Sequence, residues 1–221
     1  MKKYDVIIWD VDGTLLDTSN GIFASARYII QQRGFTIPVP QILGTYIGPP
    51  IQKSFFDTLP VSVEEAHDMA EAFREHYKKY SLYKAHVYPE MLELLSLIKN
   101  NGMLQAVATY KRKDYAEDLL RYFNLADYME CICGSDYNGK LSKTDIIKKA
   151  MNQIAKDSSL NVVMIGDSMN DLKGAEDLGI DFIGVTYGFG FEKKLSGIKM
   201  ADNISDLKNF LLKKGECVGN K

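Results

Sequence analysis

Two carboxylates one residue apart, Asp10 and Asp12, close the apolar run Val6-Ile7-Ile8-Trp9 and are followed at once by Gly13 and Thr14. One carboxylate in such a pair can attack while the other handles protons, the division of labour that covalent phosphoryl transfer needs. A plain turn after a strand is the ordinary alternative, since Asp and Gly are common turn residues. Three later segments carry groups that suit the same chemistry. Thr109 follows Val107-Ala108, and a hydroxyl there can donate to a phosphate oxygen without adding charge. Lys143, after Gly139-Lys140-Leu141-Ser142, offers an ammonium that could neutralise phosphate charge. A solvated threonine and a surface lysine are their everyday alternatives. Gly166-Asp167-Ser168-Met169-Asn170-Asp171 supplies two more carboxylates four positions apart. Helix capping accounts readily for one of these, less readily for both.

These groups can act together only if the elements that carry them converge. The strand expected over Val6 to Trp9 delivers its acids to a carboxyl end, where ligands of open α/β sheets bind. From Thr18 to about Lys84 the periodicity is helical, with Ile22, Ala26, Ile29 and Ile30 on one face and Ala66, Met69, Ala70, Phe73 and Tyr77 on another. Inside it, Gly44-Thr45-Tyr46-Ile47-Gly48-Pro49-Pro50 reads as a loop whose prolines start a helix over Ile51 to Leu59, and Ser62 with Glu65 makes a capping box for the next. After Pro89 the pattern alternates. Helices are expected through Met91 to Ile98, Asp114 to Phe123, Lys143 to Ile154 and Asn170 to Leu178, with strands at Met103 to Ala108, Glu130 to Cys133, Val162 to Ile165 and Phe182 to Val185. Ser205 is expected to cap a last helix through Leu212, with a loose tail from Gly215. Repeated βα alternation predicts an α/β fold, a parallel sheet with helices on both faces, and makes the helical block an insertion over the site.

Composition narrows the partners. With 221 residues, 46% of them hydrophobic, the chain can bury one substantial core and a smaller second one. A formal net charge of -2 gives no polyelectrolyte signal, so neither a nucleic acid polymer nor an acidic membrane surface is indicated. Cys131, Cys133 and Cys217 form neither a disulfide framework nor a paired zinc motif, and the apolar run between Asp5 and Asp10 is far too short for an export signal. A cytoplasmic protein is expected, monomeric or weakly dimeric.

Asp10 to Thr14, the strand ending in Thr109, Lys143, and Gly166 to Asp171 together resemble the four ordered motifs of the haloacid dehalogenase-like superfamily, over roughly Tyr4 to Lys214. The helical insertion after the first motif resembles the cap of its phosphoglycolate phosphatase-like, 5'-nucleotidase-like and β-phosphoglucomutase-like members. The resemblance implies a Rossmann-like core formed by residues 1–16 and 85–215, a helical cap over 17–84 and a tail over 216–221. It implies that Asp10 is the nucleophile forming an aspartyl-phosphate, that Asp12 is the general acid and then base, and that Thr109 and Lys143 hold phosphoryl oxygens. It further implies Mg²⁺ bound by the carboxylates of Asp10 and Asp167 and the main-chain carbonyl of Asp12, with Asp171 assisting through water or by orienting Lys143. Dehalogenating members lack the second carboxylic acid, so Asp12 argues for phosphoryl transfer.

Electrostatics points to the same cofactor. Two like charges about 4 Å apart cost roughly 4 kcal/mol at an effective dielectric near 20, and an incoming phosphate adds repulsion that a hard divalent cation removes. All-oxygen ligands suit Mg²⁺, whereas His67, His76 and His86 show no ligand spacing. Asp17 reads as a cap or hinge brace. Gly13 and Lys111 beside the motifs, and Lys53 and Tyr46 from the insertion, are the expected substrate contacts, and Tyr46, Tyr110 or Tyr187 could stack on a base. The expected activity is Mg²⁺-dependent hydrolysis of a small phosphorylated substrate such as phosphoglycolate or a nucleoside 5'-monophosphate. A phosphomutase and a non-catalytic binding module are the alternatives.

Overall fold

The structure, a computed structural model, describes residues 3–136, 140–154, 160–191 and 193–212. Apolar, wholly buried Val6–Trp9 forms β1. The two-residue β2 (Leu16–Asp17) follows, then helices α1 (Ser19–Gln32), α2 (Pro40–Gly44), α3 (Ile51–Thr58) and α4 (Val63–His76). A π-helical turn, Tyr77–Ser81, extends α4. β3 (His86–Val87) then pairs antiparallel with β2, Leu16 opposite Val87 and Asp17 opposite His86. The helical segment therefore departs and returns through two adjacent strands.

Regular alternation follows: α5 (Met91–Asn100), β4 (Leu104–Arg112), α6 (Lys113–Tyr122), β5 (Cys131–Ser135), α7 (Lys143–Ile154), β6 (Val162–Gly166), α8 (Met169–Leu178), β7 (Asp181–Val185), β8 (Lys199–Ala201) and α9 (Ile204–Leu212). Six strands form one sheet in the order β5-β4-β1-β6-β7-β8 with all pairings parallel. β1 lies between β4 and β6, so the chain winds outward in both directions from it. That is the switch point at which open α/β sheets leave a crevice. The register Trp9 to Val107 and Trp9 to Ile165 brings the three strand ends to one edge.

Alternation of side chains assigns the two faces. Val6, Ile8, Ala106, Ala108 and Met164 pack with Ile146, Ile147 and Ala175 of α7 and α8, while Ile7, Trp9, Val107, Val163 and Ile165 share a core with Leu94, Leu95, Leu119 and Leu207. Near-continuous apolar strands are what burial on both faces demands. Trp9 Nε1 donates to Gln105 Oε1 at 3.2 Å, and Gln105 Nε2 donates to the Leu95 carbonyl at 3.0 Å, which satisfies the polar atoms inside that layer.

The parallel α/β sheet stands as expected, and the Ser62–Glu65 capping box is present, with both of its hydrogen bonds. Some details differ. β8 and the β2–β3 pair were not expected, because elements of two or three residues carry no periodic signal. The last helix is capped by Asn203, whose Oδ1 accepts from the Asp206 amide at 2.9 Å, and not by Ser205, which lies inside the helix. Asp17, read as a cap or hinge brace, lies in β2 and accepts the Ser19 amide at 2.9 Å, ahead of the Thr18 cap of α1. The expected tail lies outside the described residues. No helix among them is long and apolar enough to cross a membrane.

Candidate active site

Asp10 follows β1, Asp167 follows β6, and Asp171 stands in the first turn of α8. The turn at Ser168 explains how Asp171 faces inward. Its Oδ2 receives the Ser168 amide at 3.1 Å and the Ser168 hydroxyl at 2.6 Å, a capping box that locks the side chain. Its Oδ1 is then turned toward Lys143 Nζ, 2.6 Å away, and the same ammonium donates to Asp10 Oδ1 at 2.6 Å. Lys143 opens α7, where its amide donates to the Tyr110 hydroxyl at 3.0 Å. All four charged residues are at most 5% exposed. One oxygen from each of Asp10, Asp167 and Asp171 falls within 4.8 Å of the others.

Three buried carboxylates around a single ammonium leave negative charge uncompensated. Burial, then Asp171 and Asp12, push the Asp10 carboxyl up to about 7 against the opposing pull of Lys143. Burial, followed by Asp10 and Asp171, raises Asp167 well above the carboxylate range, although two main-chain amides work against it. Burial by itself would depress Lys143; Asp10 and Asp171 outweigh it and hold the ammonium protonated.

Asp12 has its own setting. Thr18 donates its hydroxyl to Asp12 Oδ1 at 2.6 Å, and Lys111 Nζ lies 3.0 Å from the same oxygen. Lys111 gets there because β4 is irregular. Thr109 pairs with Gly134 but Arg112 with Ser135, so Tyr110 and Lys111 bulge from the ladder and the lysine turns into the site. A Cβ on Gly134 would lie 2.6 Å from the Lys111 carbonyl, so only glycine fits opposite the bulge. The strand thus runs past Ala108, its expected end, and Thr109 sits within it, buried, with its Oγ1 accepting the Lys111 amide at 3.2 Å.

A cavity opens beside Asp12 between the sheet edge and the helical segment, and its walls include Tyr46, Tyr77, Arg74, Lys111 and Tyr115. Tyr46 is buried there with its hydroxyl 2.5 Å from Thr58 Oγ1. Lys53, in contrast, does not line this cavity: its ammonium pairs with Asp57 at 2.6 Å over a separate recess with Phe56 and Val63, as expected of i,i+4 neighbours on an exposed helix face. Tyr187 also stands apart, since its hydroxyl donates to the Thr14 carbonyl at 3.1 Å. Tyr110 remains at the cavity wall. His76 Nδ1 lies 3.0 Å from Ser25 Oγ, His86 stands beside Asp17, and His67 is exposed.

Two contributions had no sequence signal strong enough to single them out. Tyr77, from the π-helical turn, accepts a hydrogen bond from Lys111 at 3.2 Å, a contact between segments 34 residues apart. Phe189 and Gly190 direct their amides at Asp167, and the repeated glycine of Gly188-Phe189-Gly190 is the one trace of this in the sequence.

A parallel α/β sheet that gathers buried acids and a lysine at its switch point defines an enzyme-type crevice. The haloacid dehalogenase-like hydrolase family model matches residues 7–185, and the chain belongs to that family. It is 31% identical to a 5'-nucleotidase of Pseudomonas aeruginosa over 93% of this chain and 93% of that protein. It is 30% identical to a phosphoglycolate phosphatase of Neisseria meningitidis over 86% of this chain and 83% of that one. A predicted phosphatase from Clostridium acetobutylicum shares the fold with a TM-score of 0.87 and 32% identity, covering 95% of this chain and 98% of its own.

Proposed function

We propose that this protein is a Mg²⁺-dependent phosphomonoester hydrolase that works through an aspartyl-phosphate on Asp10. The observation that carries the reading is the meeting of Asp10, Asp167 and Asp171 within 4.8 Å, with one buried lysine paired to Asp10 and Asp171. The donor set fits the ion: the ligand oxygens are hard, and the charge that Lys143 leaves uncompensated is of the sign and size a divalent cation removes. Asp10, Asp167, Asp171 and the Asp12 carbonyl would hold it, and when bound it supplies the positive charge that lets an anionic substrate approach.

The protein groups then divide the work. Asp10 attacks phosphorus as the ester oxygen departs, Asp12 gives that oxygen its proton, and Asp12 next takes a proton from the water that hydrolyses the acyl phosphate. Lys143 and Thr109 hold phosphoryl oxygens in line, and Thr18 with Lys111 keeps Asp12 aimed. Residues 17–84 act as a cap that closes over the crevice to exclude bulk water and reopens for release.

The leaving group occupies the cavity beside Asp12. Its cations are already matched, Lys111 to Asp12, Arg74 to Glu71 and Arg112 to Asp114, while Tyr46, Tyr77, Tyr110 and Tyr115 contribute aromatic wall. This balance favours a nucleoside 5'-monophosphate over phosphoglycolate, whose carboxylate would require a spare cation. Ranking kcat/KM across nucleotides, sugar phosphates and short phospho-acids tests it. Nucleotides should lead by about tenfold or more, and a lead for phosphoglycolate would reverse the assignment.

A further inference from the structure

We propose that the turn Gly188-Phe189-Gly190, which follows β7, is a positioning device for Asp167 that fixes its carboxylate for cation binding. Asp10, Asp12 and Asp171 each have a lysine partner, whereas among the described residues Asp167 makes no ion pair. Its Oδ2 is instead clasped by two main-chain donors, the Phe189 amide at 2.7 Å and the Gly190 amide at 3.2 Å. Two donors on one oxygen set the plane of the carboxylate and leave Oδ1 as the open ligand atom. Neutral amides suit this task. An ammonium in their place would cancel the charge that attracts the cation, whereas an amide orients the carboxylate and keeps its net charge.

The fit is built from glycines contributed by two loops. A Cβ on Gly188 would lie 2.5 Å from the Asp167 Cβ and Oδ2, and one on Gly190 would overlap the Asp167 main-chain oxygen. A Cβ on Gly13, whose φ of +81° already favours glycine, would overlap Asp167 Oδ2 and stand 2.9 Å from the Phe189 ring. The first-motif loop and the Gly188–Gly190 turn thus close on the Asp167 carboxylate from two sides. Outer-shell partners of this kind change metal affinity by about 10- to 100-fold when removed.

The inference rests on the reading that Asp167 helps hold the ion, and the test separates the two. Phe189 is replaced in the full chain by phenyllactic acid through nonsense suppression, which turns its amide into an ester and deletes the 2.7 Å donor while keeping the side chain. Gly190→Ala is the genetic counterpart, and Gly44→Ala, where a Cβ meets nothing within 4 Å, is the control. Mg²⁺ affinity is measured by calorimetry on substrate-free protein, with the unfolding midpoint recorded in chelator. The ester and Gly190→Ala proteins should bind Mg²⁺ about 10- to 100-fold more weakly, with wild-type affinity in the control. A folded ester protein that binds Mg²⁺ within twofold of wild type overturns the positioning role. A wild-type protein that binds no Mg²⁺ overturns the metal reading instead.

Discussion

At the scale of residues, the balance around Lys143 bears on stability and, in the proposed mechanism, on chemistry. Its ammonium is buried against Asp10 and Asp171 at 2.6 Å each, so Lys143→Met would strand two carboxylates in the interior. Breaking such a buried pair costs about 3–5 kcal/mol, which lowers the melting temperature by about 10 °C in a chain of this size. Scanning calorimetry in chelator should show that drop, and saturating Mg²⁺ should recover part of it. Asp10→Asn acts in the other direction on stability, because it removes one of the clustered like charges. Its midpoint in chelator should equal or exceed that of wild type, while steady-state turnover of p-nitrophenyl phosphate falls by about 10³-fold or more. Asp10 and Asp167 were legible from type and position, since each follows an apolar run whose end is predictable, whereas Lys143 follows Gly139-Lys140-Leu141-Ser142 and was singled out by its charge at the start of an expected helix. Lys53 shows the limit of such reading. Proximity of a loop to a motif along the chain does not say which way its side chains turn, and Lys53 turned to Asp57.

At the scale of elements, local signals and tertiary demands can be set against each other. Ser62 and Glu65 announce the start of α4, and Ser62→Ala should cost about 1 kcal/mol in urea denaturation with kcat/KM unchanged. Gly21 gives no such announcement. It sits inside α1, where replacement by Ala gains about 1 kcal/mol of helix propensity, yet a Cβ there would overlap the Ser81 carbonyl of the π-helical turn. Overpacking against main chain costs about 1–3 kcal/mol, so Gly21→Ala is expected to destabilise in chemical denaturation despite the better helix former. The amphipathic stripe of α4 was readable by period, but the π turn that carries Tyr77 to Lys111 was not, because one extra residue in a helical turn leaves the apolar spacing nearly intact. The bulge in β4 escaped likewise. Only the pairing of Thr109 with Gly134 and Arg112 with Ser135 reveals it.

At the scale of the whole molecule, the clustered acids make stability depend on pH. Asp10, pushed up to about 7 by burial first and by its acidic neighbours next, keeps a proton in the folded state that an unfolded carboxyl loses near pH 4. Asp167 is raised in the same sense. The Asp10 contribution is full at low pH and is lost as pH rises toward 7, so the metal-free melting temperature should fall between pH 5 and 7. His76, held below its ordinary value by partial burial and Lys84, acts oppositely but stays largely solvated. Saturating Mg²⁺ should raise the midpoint and flatten the slope, and calorimetry at several pH values with and without the ion reads both effects. What the sequence by itself determined is the alternation of buried strands and helices and the identity of the acids that end those strands, because periodicity and strand-end chemistry are local properties of the chain. Which groups partner those acids was decided only by the tertiary structure. Lys143 reaches Asp10 across 133 positions and the Phe189 amide reaches Asp167 across 22, and contacts over such separations depend on sheet order, the β4 bulge and glycine-sized gaps that no short-range pattern encodes.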